Sequence, residues 1–132
     1  MIVVDTSAVI TALVGRPPNH ALSSRLSDDT DLHAPHLIDI ELIHALRRLV
    51  LNGNLSEDRA SDVRVDFADI SIMRYPHLPL ADRIWALRHT ITAYDAAFVA
   101  LGEVLDVPVI TCDARLASAS GHSADIELFE ER

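Results

Sequence analysis

Short apolar runs alternate along this chain with longer segments whose apolar residues recur at helical spacing. The first run, Ile2–Val4, leads directly into Asp5, and a second run over residues 107–111 leads through Cys112 into Asp113. Short continuous apolar runs are typical of strands that are buried on both faces of a parallel sheet. We therefore predict two core strands, each followed at its carboxyl end by an aspartate.

The remaining pattern predicts an alternation of helices and strands. Residues 37–51 form the clearest helix, since their apolar positions follow a helical period and Asn52 and Gly53 supply a stop. This helix carries Glu41. Further helices are predicted over residues 8–13 (capped by Thr6 or Ser7), 19–26, 56–68, 80–89, 92–101 and 114–120, and further strands over 32–34, 70–73 and 126–129, the last at a sheet edge.

This alternation predicts an α/β fold, a three-layer α/β/α sandwich around a mostly parallel sheet. With 132 residues, 49% of them hydrophobic, the chain suits a single domain over residues 1–132 with one core. The single cysteine, Cys112, excludes an intramolecular disulfide, and we expect it to be a small packed side chain rather than a nucleophile. No apolar stretch approaches the roughly 18 residues of a membrane span, and Asp5 interrupts any leader, so a cytoplasmic protein is expected.

The charge balance narrows the functional classes. A formal net charge of −9, with 11 Arg and no Lys, argues against a protein that holds nucleic acid on a broad basic face. It does not argue against a nuclease, because a site built from carboxylates is acidic until cations occupy it. The seven histidines show no spacing that indicates a zinc site.

Four acids are candidates for such a site, although each also has a structural explanation. Glu41 and Asp95 lie beside strongly apolar segments, where charged groups are rarely unpaired. The structural explanations are a cap for Asp5 and for Asp113, a capping box for Thr92 with Asp95, and an ion pair of Glu41 with Arg48.

Four segments combine into a more specific signal. They are Val4-Asp5-Thr6-Ser7-Ala8, Glu41 with Leu46-Arg47-Arg48, residues 94–101 beginning Tyr94-Asp95-Ala96-Ala97, and Thr111-Cys112-Asp113-Ala114-Arg115-Leu116. Together they resemble the PIN-domain ribonuclease family, specifically its VapC-type toxins, over essentially the whole chain. The resemblance implies a PIN-like domain and an Mg²⁺- or Mn²⁺-dependent endoribonuclease. It implies Asp5, Glu41, Asp95 and Asp113 as the catalytic, metal-binding acids, with Ser7 and Thr111 as supporting hydroxyls.

The resemblance also implies partners. These are an RNA substrate, a cognate VapB-type antitoxin that is basic where it touches the acids, and a second copy of the chain in a homodimer. The helices over residues 37–51 and 56–68 offer apolar surface for a dimer, but the same residues could fill the core. Arg115 is a candidate contact for substrate phosphate, with a surface salt bridge as the alternative.

Two positions depart from the family pattern. His44 stands where relatives often have Asn, and on a half-buried helix such a residue more often has a structural role. Gly102 interrupts a tract that commonly reads Ala-Leu-Ala-Glu, and it lowers helix propensity by about 1 kcal/mol relative to Ala. Neither departure removes an acid.

The chemistry also follows from the residue types. Carboxylate oxygens bind hard divalent cations, which activate water and neutralise charge on a phosphate undergoing attack. We therefore expect a 5′-phosphate product and no role for the RNA 2′-hydroxyl as nucleophile.

Three alternatives remain open. One is a PIN nuclease of RNA processing without an antitoxin. Another is a haloacid-dehalogenase-like phosphatase with Asp5 as nucleophile, which is disfavoured because Ser7 stands where that class has a second Asp. The third is a catalytically silent metal-binding module.

Overall fold

Five strands and seven helices make up residues 1–130, the part of the chain that the computed structural model describes. The strands are β1 (Ile2–Val4), β2 (Leu32–Pro35), β3 (Ile72–Tyr75), β4 (Val109–Thr111) and β5 (Ile126–Leu128). The helices are α1 (Thr6–Val14), α2 (His20–Asp28), α3 (Leu37–Leu51), α4 (Glu57–Asp69), α5 (Ala81–Ala86), α6 (Ala93–Leu105) and α7 (Ala114–Ala117), and a 3₁₀ turn (Leu78–Leu80) precedes α5.

The strands form one sheet in the order β3-β2-β1-β4-β5, and each of its four neighbouring pairs is parallel. The chain builds the sheet outward from β1 to β3, then crosses back to place β4 on the other side of β1. This reversal is a topological switch point. In open α/β sheets, ligands bind at such points beyond the carboxyl ends of the strands. Here those ends belong to β1 and β4.

Helices cover both faces of the sheet. Helices α1, α2, α3 and α4 pack against one another. Helix α6 packs on β1, β2 and β4, and α5 packs against α6. The three residues of β1 are fully buried, as expected for a central strand between two helical layers. The predicted three-layer α/β/α class is thus confirmed. Residues 131–132 of the predicted domain lie outside the described part. None of the helices formed by residues 1–130 combines the length and apolar character that a membrane crossing requires.

Several element boundaries differ from the prediction. The N-cap of α1 is Asp5 rather than Thr6 or Ser7, because the two hydroxyls bond acidic side chains instead. Strand β3 begins at Ile72, two residues later than predicted, because Ile70 ends α4 and donates its N–H to Phe67 O.

Two predicted helices are shorter in the structure. Helix α5 ends at Ala86, where the N–H of Leu87 bonds the carbonyls of Arg83 and Ile84 in a closing turn. Helix α7 has only four residues and ends at Ala117, with Ser118 as its C-cap. Both remain in the expected place in the chain, so the topology is unaffected.

The glycine within α6 has a packing role. Gly102 is buried, and a Cβ atom built there would lie 2.5 Å from Cγ2 of Val109 and 3.4 Å from the carbonyl oxygen of Val107. Val109 lies in β4, is fully buried, and has a β-branched side chain with little rotamer freedom. The absence of a side chain at Gly102 therefore allows close contact between α6 and β4, the strand that leads to Asp113. The lower helix propensity of glycine is the cost of this contact.

We predict that Gly102→Ala lowers the free energy of unfolding. The gain in helix propensity is about 1 kcal/mol, whereas overpacking a filled core costs about 1–3 kcal/mol. Urea titration should therefore show a net loss of up to about 2 kcal/mol. The double variant Gly102→Ala/Val109→Ala should be more stable than the sum of the single changes indicates. Simple additivity of the two changes would show that this contact is not the constraint.

Candidate active site

Asp5 lies at the carboxyl end of β1, where the chain turns into α1. The residue is 5% exposed, and its Oδ2 atom accepts hydrogen bonds from Ser7 Oγ at 2.6 Å and Thr111 Oγ1 at 2.8 Å. The side chain makes no capping hydrogen bond to α1. Asp5 therefore occupies the N-cap position of α1, as the structural explanation predicted, but its carboxylate is held by hydroxyls of two segments rather than by a side-chain capping bond.

Asp113 follows β4, the strand paired in parallel with β1. Its Oδ1 atom accepts a hydrogen bond of 2.9 Å from the N–H of Arg115, so it does cap α7. Its own N–H donates to Thr111 Oγ1 at 3.0 Å. The same hydroxyl thus contacts both Asp113 and Asp5. The cap fixes Asp113 beside the first carboxylate.

Glu41 reaches the same region from α3. Its Oε1 atom accepts a hydrogen bond of 2.7 Å from Thr6 Oγ1. Within residues 1–130 no salt bridge joins Glu41 to Arg48, so the proposed helix-surface ion pair is not formed. Glu41 is partly buried and is held against the start of α1.

Asp95 stands in the first turn of α6. Its N–H donates to Thr92 Oγ1 at 3.2 Å, which confirms Thr92 as the N-cap. A carboxylate in the first turn is favoured by the partial positive charge of the helix N-terminus. The capping arrangement therefore positions Asp95 without neutralising it.

These four acids line one cavity of about 690 Å³. Its walls come from α1, α3, the start of α6 and the turn before α7. The lining residues are Asp5, Thr6, Ser7, Ile10, Leu37, Ile40, Glu41, His44, Ala45, Arg48, Tyr94, Asp95 and Asp113. The structure thus brings together all four acids predicted from the sequence, at the switch point of the sheet.

Burial and mutual repulsion govern the electrostatics of this cavity. Burial raises the pKa of Asp5, and the hydrogen bonds from Ser7 and Thr111 oppose that rise. Burial also raises the pKa of Glu41 and of Asp95. Each of these three pKa values is raised further by the charges of neighbouring acids. The carboxylates therefore lie close enough to repel one another, and a cation would relieve that repulsion.

The supporting residues differ in how closely they approach the acids. Ser7 and Thr111 form a connected pair, with 3.1 Å between their hydroxyl oxygens, and Ser7 Oγ also accepts the N–H of Cys112 at 2.9 Å. Arg115 has a side chain that is 94% exposed, and its Nε lies 3.8 Å from Asp113 Oδ1. It therefore forms the weak surface salt bridge considered above, at the rim of the cavity. Cys112 is partly buried.

Some cavity residues were not identified from the sequence as part of the site. Thr6 was considered only as a cap, yet it orients Glu41. Tyr94 and Arg48 line the cavity but appeared only as neighbours of acids. For Arg48 the sequence spacing could have indicated a place in the site, because Glu41, His44 and Arg48 follow one another at intervals of three and four residues on one helix face.

The donor chemistry of the cavity suits a hard divalent cation. Carboxylate oxygens are the preferred ligands of Mg²⁺ and Mn²⁺, and the unbalanced negative charge favours binding. However, no group of three or more His, Cys, Asp or Glu residues within residues 1–130 is arranged so that it could hold a metal ion as it stands. The residues therefore fit such an ion in the type of ligand atom that they offer.

Comparison with known proteins agrees with the fold. The sequence model of the PIN domain matches residues 2–121. The chain is 42% identical over 128 residues to ribonuclease VapC12 of Mycobacterium tuberculosis, an alignment covering 97% of this chain and 98% of that protein. It is 43% identical over 127 residues to ribonuclease VapC1 of the same organism, covering 96% of each.

A solved structure supports the fold alone. The crystal structure of VapBC2 from Rickettsia felis, bound to a DNA fragment from their promoter, superposes with a TM-score of 0.73 at 10% identity. The superposition covers 98% of this chain and 100% of that chain. The match of the family model and the two relatives show that this chain belongs to the PIN-domain family, in its VapC group.

Proposed function

We propose that this chain is an Mg²⁺- or Mn²⁺-dependent endoribonuclease that acts as the toxin of a VapBC-type toxin–antitoxin pair. The observation that carries the proposal is the convergence of Asp5, Glu41, Asp95 and Asp113 in one cavity at the sheet switch point. The names of the relatives, ribonuclease VapC12 and ribonuclease VapC1, support RNA as the substrate.

The residue roles follow from the hydrogen bonds. Ser7 and Thr111 hold the Asp5 carboxylate in a fixed orientation, and the α7 cap does the same for Asp113. We assign Asp5, Asp95 and Asp113 as ligands of the cation, directly or through water. When bound, the cation supplies positive charge to the phosphate and lowers the pKa of a water molecule.

Glu41 is assigned to the attacking water. The Thr6 hydroxyl orients this carboxylate, and burial raises its pKa, which suits a group that accepts a proton. Water then attacks phosphorus, the bond from phosphorus to the 3′ oxygen breaks, and the products carry a 5′-phosphate and a 3′-hydroxyl. The RNA 2′-hydroxyl takes no part in this step. Arg115 contacts substrate phosphate at the rim.

The alternatives have less support. A phosphatase using Asp5 as nucleophile is disfavoured because Ser7, which donates a hydrogen bond to Asp5, stands where that class has a second Asp. A PIN nuclease without an antitoxin would have the same cavity and differs only in its biological setting. A silent metal-binding module would need no oriented fourth acid such as Glu41.

The proposed protein partners are a VapB-type antitoxin and a second copy of this chain. The likeness to VapBC2 concerns the fold, and the antitoxin is proposed from the VapC relatives. Helix α3 offers surface for an assembly, since Ile40, Ile43 and Leu51 are 68%, 48% and 66% exposed. The core of the same helix is separate, because Ile38, Leu42 and Leu46 are buried. The helix therefore has a buried face and a separate exposed apolar face, and the exposed face is the one that we propose for assembly.

The nuclease activity is tested with total cellular RNA and the purified, antitoxin-free protein. We expect discrete cuts with Mg²⁺ or Mn²⁺, none with EDTA, and a loss of at least about 100-fold in Asp5→Asn, in line with the removal of a group that stabilises the transition state. Mapping should find 5′-phosphate ends. An RNA with a 2′-deoxy nucleotide at the cut position should still be cleaved.

Asp62→Asn is the matched control for that experiment. Asp62 is an exposed acid on α4 outside the cavity, so the variant should cleave as wild type does. If folded, metal-supplied wild type leaves all RNA intact, the nuclease proposal is wrong. If it produces 2′,3′-cyclic phosphate ends, the assignment of water as the nucleophile is wrong.

The toxin role has its own test. Expression of this chain alone is expected to arrest growth, and Asp5→Asn is expected to abolish the arrest at equal protein level. Co-expression of a small neighbouring gene that binds the chain should restore growth. Growth arrest that persists in Asp5→Asn would show that toxicity does not depend on the acid site. Unimpaired growth of cells that express a wild-type chain active on RNA would favour the RNA-processing alternative.

The repelling acids predict that Asp95→Asn stabilises the metal-free protein at neutral pH. The folded-state pKa of Asp95 is raised above its ordinary value of 3.8, so at pH 7 the folded chain carries a cost that protonation removes as the pH falls. The variant should therefore melt above wild type in EDTA at pH 7.5, and the difference should shrink as the pH approaches 3.8. Mg²⁺ should raise the melting temperature of wild type more than that of the variant.

Asp58→Asn provides a control with the opposite expected sign. Asp58 also lies in the first turn of a helix, α4, but it is exposed and outside the cavity. Removing its charge should slightly lower the melting temperature, because only the favourable interaction with the helix N-terminus is lost. A lower melting temperature for both variants would show that repulsion among the cavity acids is weaker than this helix effect.

A further inference from the structure

Several side chains of the acid-lined cavity have no role in the proposed chemistry, among them Arg48 and Tyr94. Arg48 stands in the last turn of α3, and Tyr94 stands in the first turn of α6. Both are exposed, Tyr94 to 62%, and both line the cavity together with the four acids. They belong to different helices, so they form two walls of the same space.

Arg48 is placed to meet an anion. It shares a helix face with Glu41 and His44, and all three line the cavity, whereas the adjacent Arg47 does not. Within residues 1–130, Arg48 forms no salt bridge with any acid, although four acids line the same cavity. Its guanidinium therefore remains available for a ligand. The planar, forked donors of Arg match the oxygens of a phosphate group.

Tyr94 offers an aromatic face on the opposite helix. The ring directly precedes Asp95 in the chain, and single-stranded nucleic acids are commonly held by stacking of bases on exposed aromatic side chains. The apolar neighbours Leu37 and Ile40 extend the same lining. The cavity volume of about 690 Å³ is within the range of about 300–1,000 Å³ in which small ligands are bound.

We propose that Arg48 and Tyr94 form a nucleotide subsite next to the cleavage centre. Arg48 binds the phosphate adjacent to the scissile one, and Tyr94 stacks on a base of the same strand. The inference rests on the proposed ribonuclease function, because it requires an RNA strand across the acids. It adds a positive contact and a stacking surface to a site whose other charged groups are mainly acidic.

The phosphate contact is tested by comparing Arg48→Gln with Arg47→Gln. The probe is a labelled RNA oligonucleotide that spans a site mapped in the total-RNA digestion. Arg48→Gln should raise KM about tenfold, as for the loss of one charge-assisted hydrogen bond, and change kcat by less than about twofold. The slope of log(kcat/KM) against log salt should become shallower by about 0.7, the value for one phosphate contact on a single strand.

Arg47→Gln removes the same charge from the same helix end and should leave KM and the salt slope unchanged. Arg48→Lys should retain the salt slope, because Lys still neutralises a phosphate. Equal melting temperatures of Arg48→Gln and Arg47→Gln would show that folding is not the cause of any difference.

The stacking contact is tested with Tyr94→Leu and Tyr94→Phe. Both are made in the Asp5→Asn background, where the oligonucleotide remains intact, and RNA binding is followed by fluorescence anisotropy. Tyr94→Leu should weaken binding at least about fivefold, while Tyr94→Phe should retain it because the ring is preserved. Equal weakening in both variants would assign the effect to the hydroxyl and overturn the stacking role.

These experiments separate the subsite from the proposed function. If wild type and Arg47→Gln do not cleave RNA, the ribonuclease proposal fails and the subsite fails with it. If both cleave and Arg48→Gln matches them in KM and salt slope, the subsite is wrong while the ribonuclease stands. Unchanged RNA kinetics with weaker binding of an inhibiting protein would assign Arg48 to a protein interface and likewise overturn the inference.

Discussion

The hydroxyls of Ser7 and Thr111 both donate to one oxygen of the Asp5 carboxylate, where the central strands β1 and β4 end side by side. This contact joins segments 106 residues apart in sequence. It holds a carboxylate that is almost completely buried and has no salt bridge within residues 1–130. Without these two donors, burial of that charge would be far more costly. The Thr111 hydroxyl also accepts the N–H of Asp113, so this contact positions two of the four acids.

The core of the domain supports a site that works against stability. Fully buried apolar residues in β1 and β4 place the strand ends rigidly, and Gly102 lets α6 approach β4 closely. In return, the cavity gathers carboxylates whose pKa values are raised by burial and by one another. Such unrelieved repulsion is typical of sites that bind a cation rather than of structural ion pairs. The electrostatic repulsion is confined to the acid-lined cavity, while the surrounding layers are packed as in an ordinary apolar core.

Sequence reasoning predicted the layers, and the juxtaposition of Asp5 and Asp113, from strong local patterns, whereas Glu41 and Asp95 joined the set through their apolar surroundings and the resemblance to the PIN-domain family. An apolar run followed by Asp, as at β1 and β4, indicates strand and carboxylate together. Helix ends were predicted less well, since the choice between Thr6, Ser7 and Asp5 as cap depends on distant partners. Arg48 shows the same limit. Its spacing from Glu41 suggested an ion pair, but Thr6 on another helix takes the Glu41 carboxylate instead. Tertiary hydrogen bonds decided these cases.

The acidity of the cavity also bears on how such a site can be both active and controlled. A positively charged occupant would relieve the repulsion among the four acids, in a chain whose formal net charge is −9. Under the proposed function, a divalent cation meets this need when RNA is cleaved. A basic side chain of an antitoxin would meet the same need without supplying the chemistry. The cation and the antitoxin then compete for the same four carboxylates. Replacement of one of these acids should therefore weaken both RNA cleavage and antitoxin binding.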